Sequence, residues 1–270
     1  MTLASFLLAL LGVAALMSVA MAGAFLVEQK TRNSGWIDVV WTFGLGATGF
    51  AGALLPFGGG PWPRRIFVAV LVASWALRLG LHIAGRTRNI KDDPRYAQLR
   101  RDWGKDARRR MFIMLQMQAL ASIPLGLGIV LAAHNPALAL GWQDAAGMAL
   151  FALALVGGAV ADRQLRDFTR DPAHRGRVCD VGLWRWSRHP NYFFECLVWA
   201  TWPLIAISLV GYPYGFVALL APICITLLLT RISGIPPLEE HMLRKHGEAY
   251  AGYQERTSAL IPWPPRSLGA

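Results

Sequence analysis

The stretch WRWSRHPNYFFECLVW, residues 184–199, sets Trp184, Arg185, Arg188, His189, Asn191, Tyr192 and Glu195 beside an apolar run. Arginines grip phosphate bidentately, and aromatic rings offer stacking surfaces. Asn191 and Glu195 can fix a carboxamide or a sugar by hydrogen bonds. Glu195 falls about one turn into the following helix, on the face of Asn191 and Tyr192 by i+4 and i+3 spacing. A topology signal needs only lysines and arginines; it does not need Asp162, Gln164, His189, Asn191 and Glu195 threaded through residues 162–195. The combination suits a nucleotide-type cofactor entering from the cytoplasm. The plainer alternative is a helix-end cap, with Pro190 near the first helical position, on a lipid-facing basic loop. Metal ligation by His189 is not expected: the chain has no HExxH and no histidine box, and His241 and His246 are five apart, off a shared helical face.

A second group lies in the N-terminal half. Ser74, Arg78 and His82 recur every fourth residue, Asp38 has Trp41 and Thr42 one turn on, and Gln116 and Gln118 enter a later apolar segment. Ionisable groups at hydrocarbon depth are costly and normally face a cavity or a partner. A polar cavity between the second, third and fourth helices accounts for all of them. A structural Asp38–Arg78 ion pair, with His82 snorkelling to the interface, accounts for three. Gln116 and Gln118 point about 200° apart, so at most one faces a cavity.

The elements that carry these residues are membrane helices. The chain is 54% hydrophobic and 16% charged, where a soluble domain carries about 25% charge, and its mean hydropathy is +0.37. Apolar runs near 20 residues recur over roughly 2–26, 36–56, 66–86, 111–132, 139–161, 192–210 and 214–232. The first lacks a positive n-region and is too long for a usual signal peptide, so it is kept as a helix. Strand-type alternation is absent. The expectation is an all-α, polytopic bundle of about seven transmembrane helices, a single domain over 1–270 with short interfacial helices. One interfacial helix is expected in the 87–110 loop, which ends in DWGKDARRRM, and another, amphipathic, over 235–258.

The loops 87–110 and 162–191 are rich in lysine and arginine, whereas HNPAL near 134 and GYPYG at 211–215 have none. The basic loops and the C-terminus therefore read as cytoplasmic, with Arg64 and Arg65 as a minor breach of the rule. The net charge of +11 is mostly this topology signal plus attraction to anionic headgroups, and nothing else points to nucleic acid. Cys179, Cys196 and Cys224 are scattered and read as free thiols. Gly44-Leu-Gly46-Ala-Thr-Gly49 fits G-x-G-x-x-G, but it lies inside a span instead of at a strand-to-helix turn, so it reads as close helix packing.

ADRQL at 161–165, GLWRWSRHPNYFFE at 182–195, SGIPPLEE at 233–240 and YAGYQERTSALIPW at 250–263 resemble the bacterial DUF1295 proteins of the steroid 5-alpha-reductase superfamily, as do RNSGWIDVVWTFG and DPRYAQLRRDWG. That superfamily includes sterol C14 and C7 reductases, with isoprenylcysteine carboxyl methyltransferases as more distant relatives. The resemblance implies a seven-helix membrane reductase of 3-oxo-5-alpha-steroid 4-dehydrogenase type, using NADPH without a Rossmann domain. It places the substrate cavity in the 1–132 half and the cofactor site in the 139–270 half. By match to the motif, Asp162, Arg177, Trp184, Arg185, Arg188, His189, Asn191, Tyr192 and Glu195 line the cofactor site, and Tyr250, Tyr253 and Arg256 close it from the tail. The implied partner is a lipophilic substrate drawn from the bilayer, beside membrane lipid, with neither metal nor nucleic acid.

Steroid 5-alpha-reductases hold the substrate carbonyl with a Glu–Tyr pair from the N-terminal half. The third span here has Trp75 and Arg78 but no tyrosine, so Asp38, Arg78 and His82 are the expected catalytic substitutes. Two other readings remain. RHPNY, Glu239–Glu240 and Tyr250/Tyr253 can hold S-adenosylmethionine in a methyltransferase, although Asn191, Glu195 and ADRQL favour the reductase. A non-catalytic lipid-binding protein predicts no nucleotide affinity. No interrupted helix pair or inverted repeat supports a transporter.

Overall fold

The computed structural model describes residues 1–209 and 211–266, and among these it contains no β-strand, only isolated bridges. Among the described residues, six helical stretches are long and apolar enough to cross a bilayer: Leu3–Thr31, Gly35–Leu54, Trp62–Thr87, Pro94–Ala133, Trp142–Arg170 and Pro213–His246. The chain is an all-helical integral membrane protein. The remaining expected span, 192–210, appears as the 17-residue helix Pro190–Ala206, at the short end of spanning length; Val210 lies outside the described residues.

The chain divides into two compact units that interleave in sequence. The first comprises Met1–Gly147 and Ala200–Cys224, and the second Met148–Trp199 and Ile225–Ala270.

In the first unit, α1 (Leu3–Thr31), α2 (Gly35–Leu54) and α3 (Trp62–Thr87) pack in sequence order. The expected 111–132 helix is two, α5 (Ala107–Ala121) and α6 (Ile123–Ala133). They part at Ser122, because Pro124 has no N–H to continue the ladder and is tolerated only in a first turn. Helix α2 sits among the others through its small residues. A Cβ on Gly46 would stand 2.3 Å from Ala76 of α3, and one on Gly49 would stand 2.7 Å from Ile129 of α6. The G-x-G-x-x-G run is therefore a packing face. Arg64 and Arg65, which breached the charge rule, are used internally. Arg64 is 2% exposed, pairs with Asp144 at 2.8 Å and donates to the Ala139 carbonyl. Arg65 donates to the Ala53 and Leu54 carbonyls at the end of α2, satisfying acceptors that a helix terminus leaves open.

The short helix expected in the 87–110 loop forms as α4 (Pro94–Trp103). Asp93 caps it by accepting from the Arg95 N–H at 3.0 Å, and Pro94 fills the first position. In the second unit, α7 (Trp142–Arg170) runs past its apolar part through ADRQLRDFTR, so Asp162 and Gln164 are helical where a loop was expected. Phe168, on that extension, is buried with Cys179 and Trp184, which rewards the added turns. Helix α8 (Pro190–Ala206) follows, and then α9 (Leu220–Leu227), which ends in a π-turn at Leu228–Ile232. The apolar part of that last stretch stops there. The turn at Ser233–Gly234 separates it from the charged, extramembrane α10 (Ile235–His246). The tail expected as one helix is α10 and α11 (Glu248–Arg256), broken at Gly247, whose φ of +53° suits glycine.

Candidate functional site

Two polar clusters emerge, one in each unit. In the N-terminal unit, Asp38 opens α2 and receives Arg95 Nη2 at 2.5 Å and the Tyr96 hydroxyl at 3.0 Å. Both partners come from the first turn of α4. Gln118 Nε2 donates in turn to the Tyr96 oxygen at 3.4 Å, and Tyr96 is 6% exposed. Arg95 also binds both oxygens of Asp93. Burial alone would raise the Asp93 carboxyl, but the Arg95 hydrogen bonds and charge outweigh it and hold the group below its ordinary value. Alongside, Arg100 joins buried Glu28 to Asp92, and Asp92 accepts from Ser34. These contacts tie α4 beneath α1 and α2.

Asp38 thus gathers this cluster, with partners the sequence did not suggest. Arg78 and His82 stand one turn apart on α3, half-buried. The two glutamines face different ways, as their spacing required: Gln116 accepts from Ser18 of α1 at 2.6 Å, while Gln118 meets Tyr96. Trp41 donates its indole N–H to Ser122 at 2.8 Å. The overlooked signal was DPRY. An Asp-Pro start places the next two residues in a helical first turn, and these are the arginine and tyrosine that reach Asp38.

In the C-terminal unit, Arg188 and His189 converge on Glu239 of α10. Arg188 Nε and Nη2 donate to the two Glu239 oxygens at 2.6 and 3.2 Å, and His189 Nε2 lies 2.9 Å from Oε1. Gln254 Nε2 donates to Oε2 at 2.7 Å, while Arg188 Nη1 reaches the Gln254 and Thr257 carbonyls of α11 and the tail. Burial alone would raise the Glu239 carboxyl; the His189 and Arg188 hydrogen bonds, the Arg188 charge and Gln254 outweigh it and bring it down to about 2. Arg188 and His189 clasp the tail to the start of α8.

The other expected residues surround this clasp. Tyr192 stacks on His189, with ring centroids 5.4 Å apart. Asn191 Nδ2 donates to Asp162 at 3.4 Å, and Glu195 accepts from the Trp199 indole at 2.8 Å. Trp184 donates to the Ala161 carbonyl at 2.9 Å, and the Tyr253 hydroxyl donates to the Trp184 carbonyl. Burial raises the Tyr250 and Tyr253 phenols, so both stay protonated donors. Arg256 pairs with Asp180 at 3.1 Å and lies over the Tyr253 ring. Arg177 and Arg185 are exposed. Arg185 and Arg256, with Asp180, Thr257 and Arg266, line a cleft of about 620 Å³. Gly182 allows the loop to reach α7: its φ is +57°, and a Cβ there would stand 2.5 Å from Gln164.

No curated protein matches the chain, and no solved structure matches it. A family described as "Protein of unknown function (DUF1295)" matches over residues 24–257, which spans both polar clusters from Glu28 to Thr257. The chain is a member of the DUF1295 family.

Proposed function

We propose that the chain is an NADPH-dependent membrane reductase of a C=C double bond in a lipophilic substrate, a steroid-like enone or an enoyl lipid, as its resemblance to the steroid 5-alpha-reductase superfamily implies. The observation that carries the reading is the Tyr96–Asp38 pair. A buried phenol, held by a carboxylate and an amide, is a neutral proton donor shielded from water. It supplies the tyrosine–carboxylate chemistry that the third span lacks.

The cofactor would supply a hydride to the β-carbon of the conjugated system. Tyr96, turning its hydroxyl away from Asp38, would hydrogen-bond the carbonyl oxygen as negative charge develops there and pass its proton to the resulting enolate. Asp38 positions the phenol between turnovers, and Arg95 holds Asp38 in place. Arg78 and His82 face the polar end of the substrate. In the C-terminal unit the donor set fits a phosphorylated dinucleotide: the cleft with Arg185 and Arg256 suits phosphate oxygens, and exposed Arg177 adds charge. Asp162, Asn191, Tyr192 and Glu195 offer hydrogen bonds and one ring face to the carboxamide end. Trp184, Tyr250 and Tyr253 shape the wall behind them. Arg188 and His189 act by positioning, since the clasp with Glu239 orders the loop before α8. That clasp also weighs against the methyltransferase reading, because the residues proposed to hold the methyl donor satisfy one another.

The test is thermal shift and calorimetry on detergent-purified protein with NADPH, NADH and S-adenosylmethionine. A ligand at a hundredfold excess over Kd adds ~2.7 kcal/mol of apparent stability. NADPH is expected to shift wild type, and Asn191→Ala or Glu195→Ala to weaken that shift in folded protein. A shift with S-adenosylmethionine alone overturns the reductase in favour of the methyltransferase.

A further inference from the structure

Most exposed leucines and valines of this chain lie on spanning helices, where lipid covers them. A second set does not. Trp186, Ile261 and Trp263 are 45%, 61% and 68% exposed, and they belong to the loop before α8 and to the tail after α11. Large apolar side chains on extramembrane segments are unfavourable in water unless something covers them.

The backbone places them at one level. Helix α7 has no polar side chain from Ala145 to Ala161, about 25 Å at 1.5 Å per residue, and it turns polar at Asp162. The loop returns to that boundary: the Trp184 indole donates to the Ala161 carbonyl at 2.9 Å, and the Leu183 N–H donates to Gln164 at 2.9 Å. The tail is pinned alongside. Trp263 N–H donates to the Trp186 carbonyl at 2.9 Å, Arg188 N–H to the Ser258 carbonyl at 2.8 Å, and the Ser187 hydroxyl to the Leu260 carbonyl at 2.8 Å. The exposed rings therefore sit where the hydrocarbon of the bilayer ends, the depth that tryptophan favours.

Charge decides which lipid. Beside Trp263 opens a smaller cleft, about 300 Å³, whose lining includes Arg188, Arg256, Arg266, Gln254, Ser258 and Glu255, so that three arginines face one acid. Arg266 is exposed and its N–H is fixed to the Arg256 carbonyl at 2.9 Å. Its guanidinium suits phosphate oxygens. A soluble anion would need the arginine alone; a bilayer surface uses the arginine and the indoles together. We infer that Trp186, Ile261, Trp263 and Arg266 form an interfacial foot that seats the tail in the headgroup layer and binds an anionic phospholipid headgroup.

The experiment uses the full chain in nanodiscs. In phosphatidylcholine carrying bromine near the headgroup end of its acyl chains, the emission component lost in Trp263→Phe is expected to be quenched, and more than by bromine near the chain ends. Replacing part of the lipid with phosphatidylglycerol is expected to raise Tm, with Arg266→Ala losing the part of that rise which wild type shows over the variant. Inorganic phosphate in phosphatidylcholine discs is the soluble-anion arm and is expected to leave Tm unchanged. The inference is overturned if the Trp263 component escapes both quenchers, if Arg266→Ala keeps the whole phosphatidylglycerol effect, or if inorganic phosphate reproduces it.

Discussion

Asp38 and Glu239 each meet an arginine, yet their surroundings differ. Glu239 has both oxygens filled by Arg188 and accepts further bonds from His189 and Gln254, and its side chain is 13% exposed. Asp38 has Arg95 on one oxygen and a phenol on the other, and its side chain is 24% exposed. The first set joins three segments distant in sequence and works as a clasp. The second holds one neutral O–H donor against a charge. An arginine–carboxylate pair closed by charged donors is stable and chemically quiet, whereas one closed by a hydroxyl keeps a proton that can move.

The largest effect expected is at the clasp. Glu239→Ala leaves Arg188 largely buried with its carboxylate gone, and removing one partner of such a pair costs about 3 kcal/mol. Thermal denaturation in detergent should show the loss, and Arg188→Ala combined with Glu239→Ala should cost less than the sum of the two singles. Additive losses would mean that the two groups do not act as a unit. Tyr96→Phe sharpens the other side. It removes one hydroxyl, so stability should fall by only about 1 kcal/mol, while turnover of an enone substrate should drop roughly 100-fold, as loss of a general acid does. Unchanged turnover would make the Asp38 cluster a second clasp.

A smaller effect follows pH. The Glu239 carboxyl lies at about 2 in the folded chain, below its ordinary 4.5. A depressed carboxylate contributes stability that is present above the unfolded value and lost as pH falls through the folded one. The contribution should thus decline between about pH 4.5 and 2. Melting profiles of wild type and Glu239→Gln across that window should converge toward its acid end, and parallel profiles would place the pH dependence elsewhere.

These contrasts show what could be read from the residues. The apolar runs, the packing role of Gly44–Gly49 and the opposed directions of Gln116 and Gln118 follow from helical periodicity, which is local. The partners of Asp38 lie on an interfacial helix more than fifty residues on, and no periodicity connects them; only the Asp-Pro cap at Asp93 hinted that Arg95 and Tyr96 begin a turn. Arg188 reads as a phosphate ligand because a guanidinium matches phosphate and carboxylate alike, and composition alone does not reveal that Glu239 is its partner within the chain. Asp162 and Gln164 read as loop because polarity marks the end of a span, while the helix itself continues for as long as Phe168 has something to pack on.

The smallest stability effect tests whether exposure separates clasp from ligand site within one unit. Arg256 and Asp180 are paired at 3.1 Å, with side chains 36% and 46% exposed, and an ion pair so open to water contributes about 0–1 kcal/mol. Arg256→Ala should therefore leave Tm nearly unchanged. If Arg256 holds a cofactor phosphate, the same variant should weaken NADPH binding about tenfold, a loss of ~1.4 kcal/mol, while leaving affinity for a ligand without phosphate groups unaltered. A variant that melts early and binds normally would reverse the assignment and put Arg256 with Arg188 among the residues that hold the tail. Calorimetry on the melted and ligand-titrated samples separates the two, because one outcome moves the protein's own transition and the other moves only the ligand's.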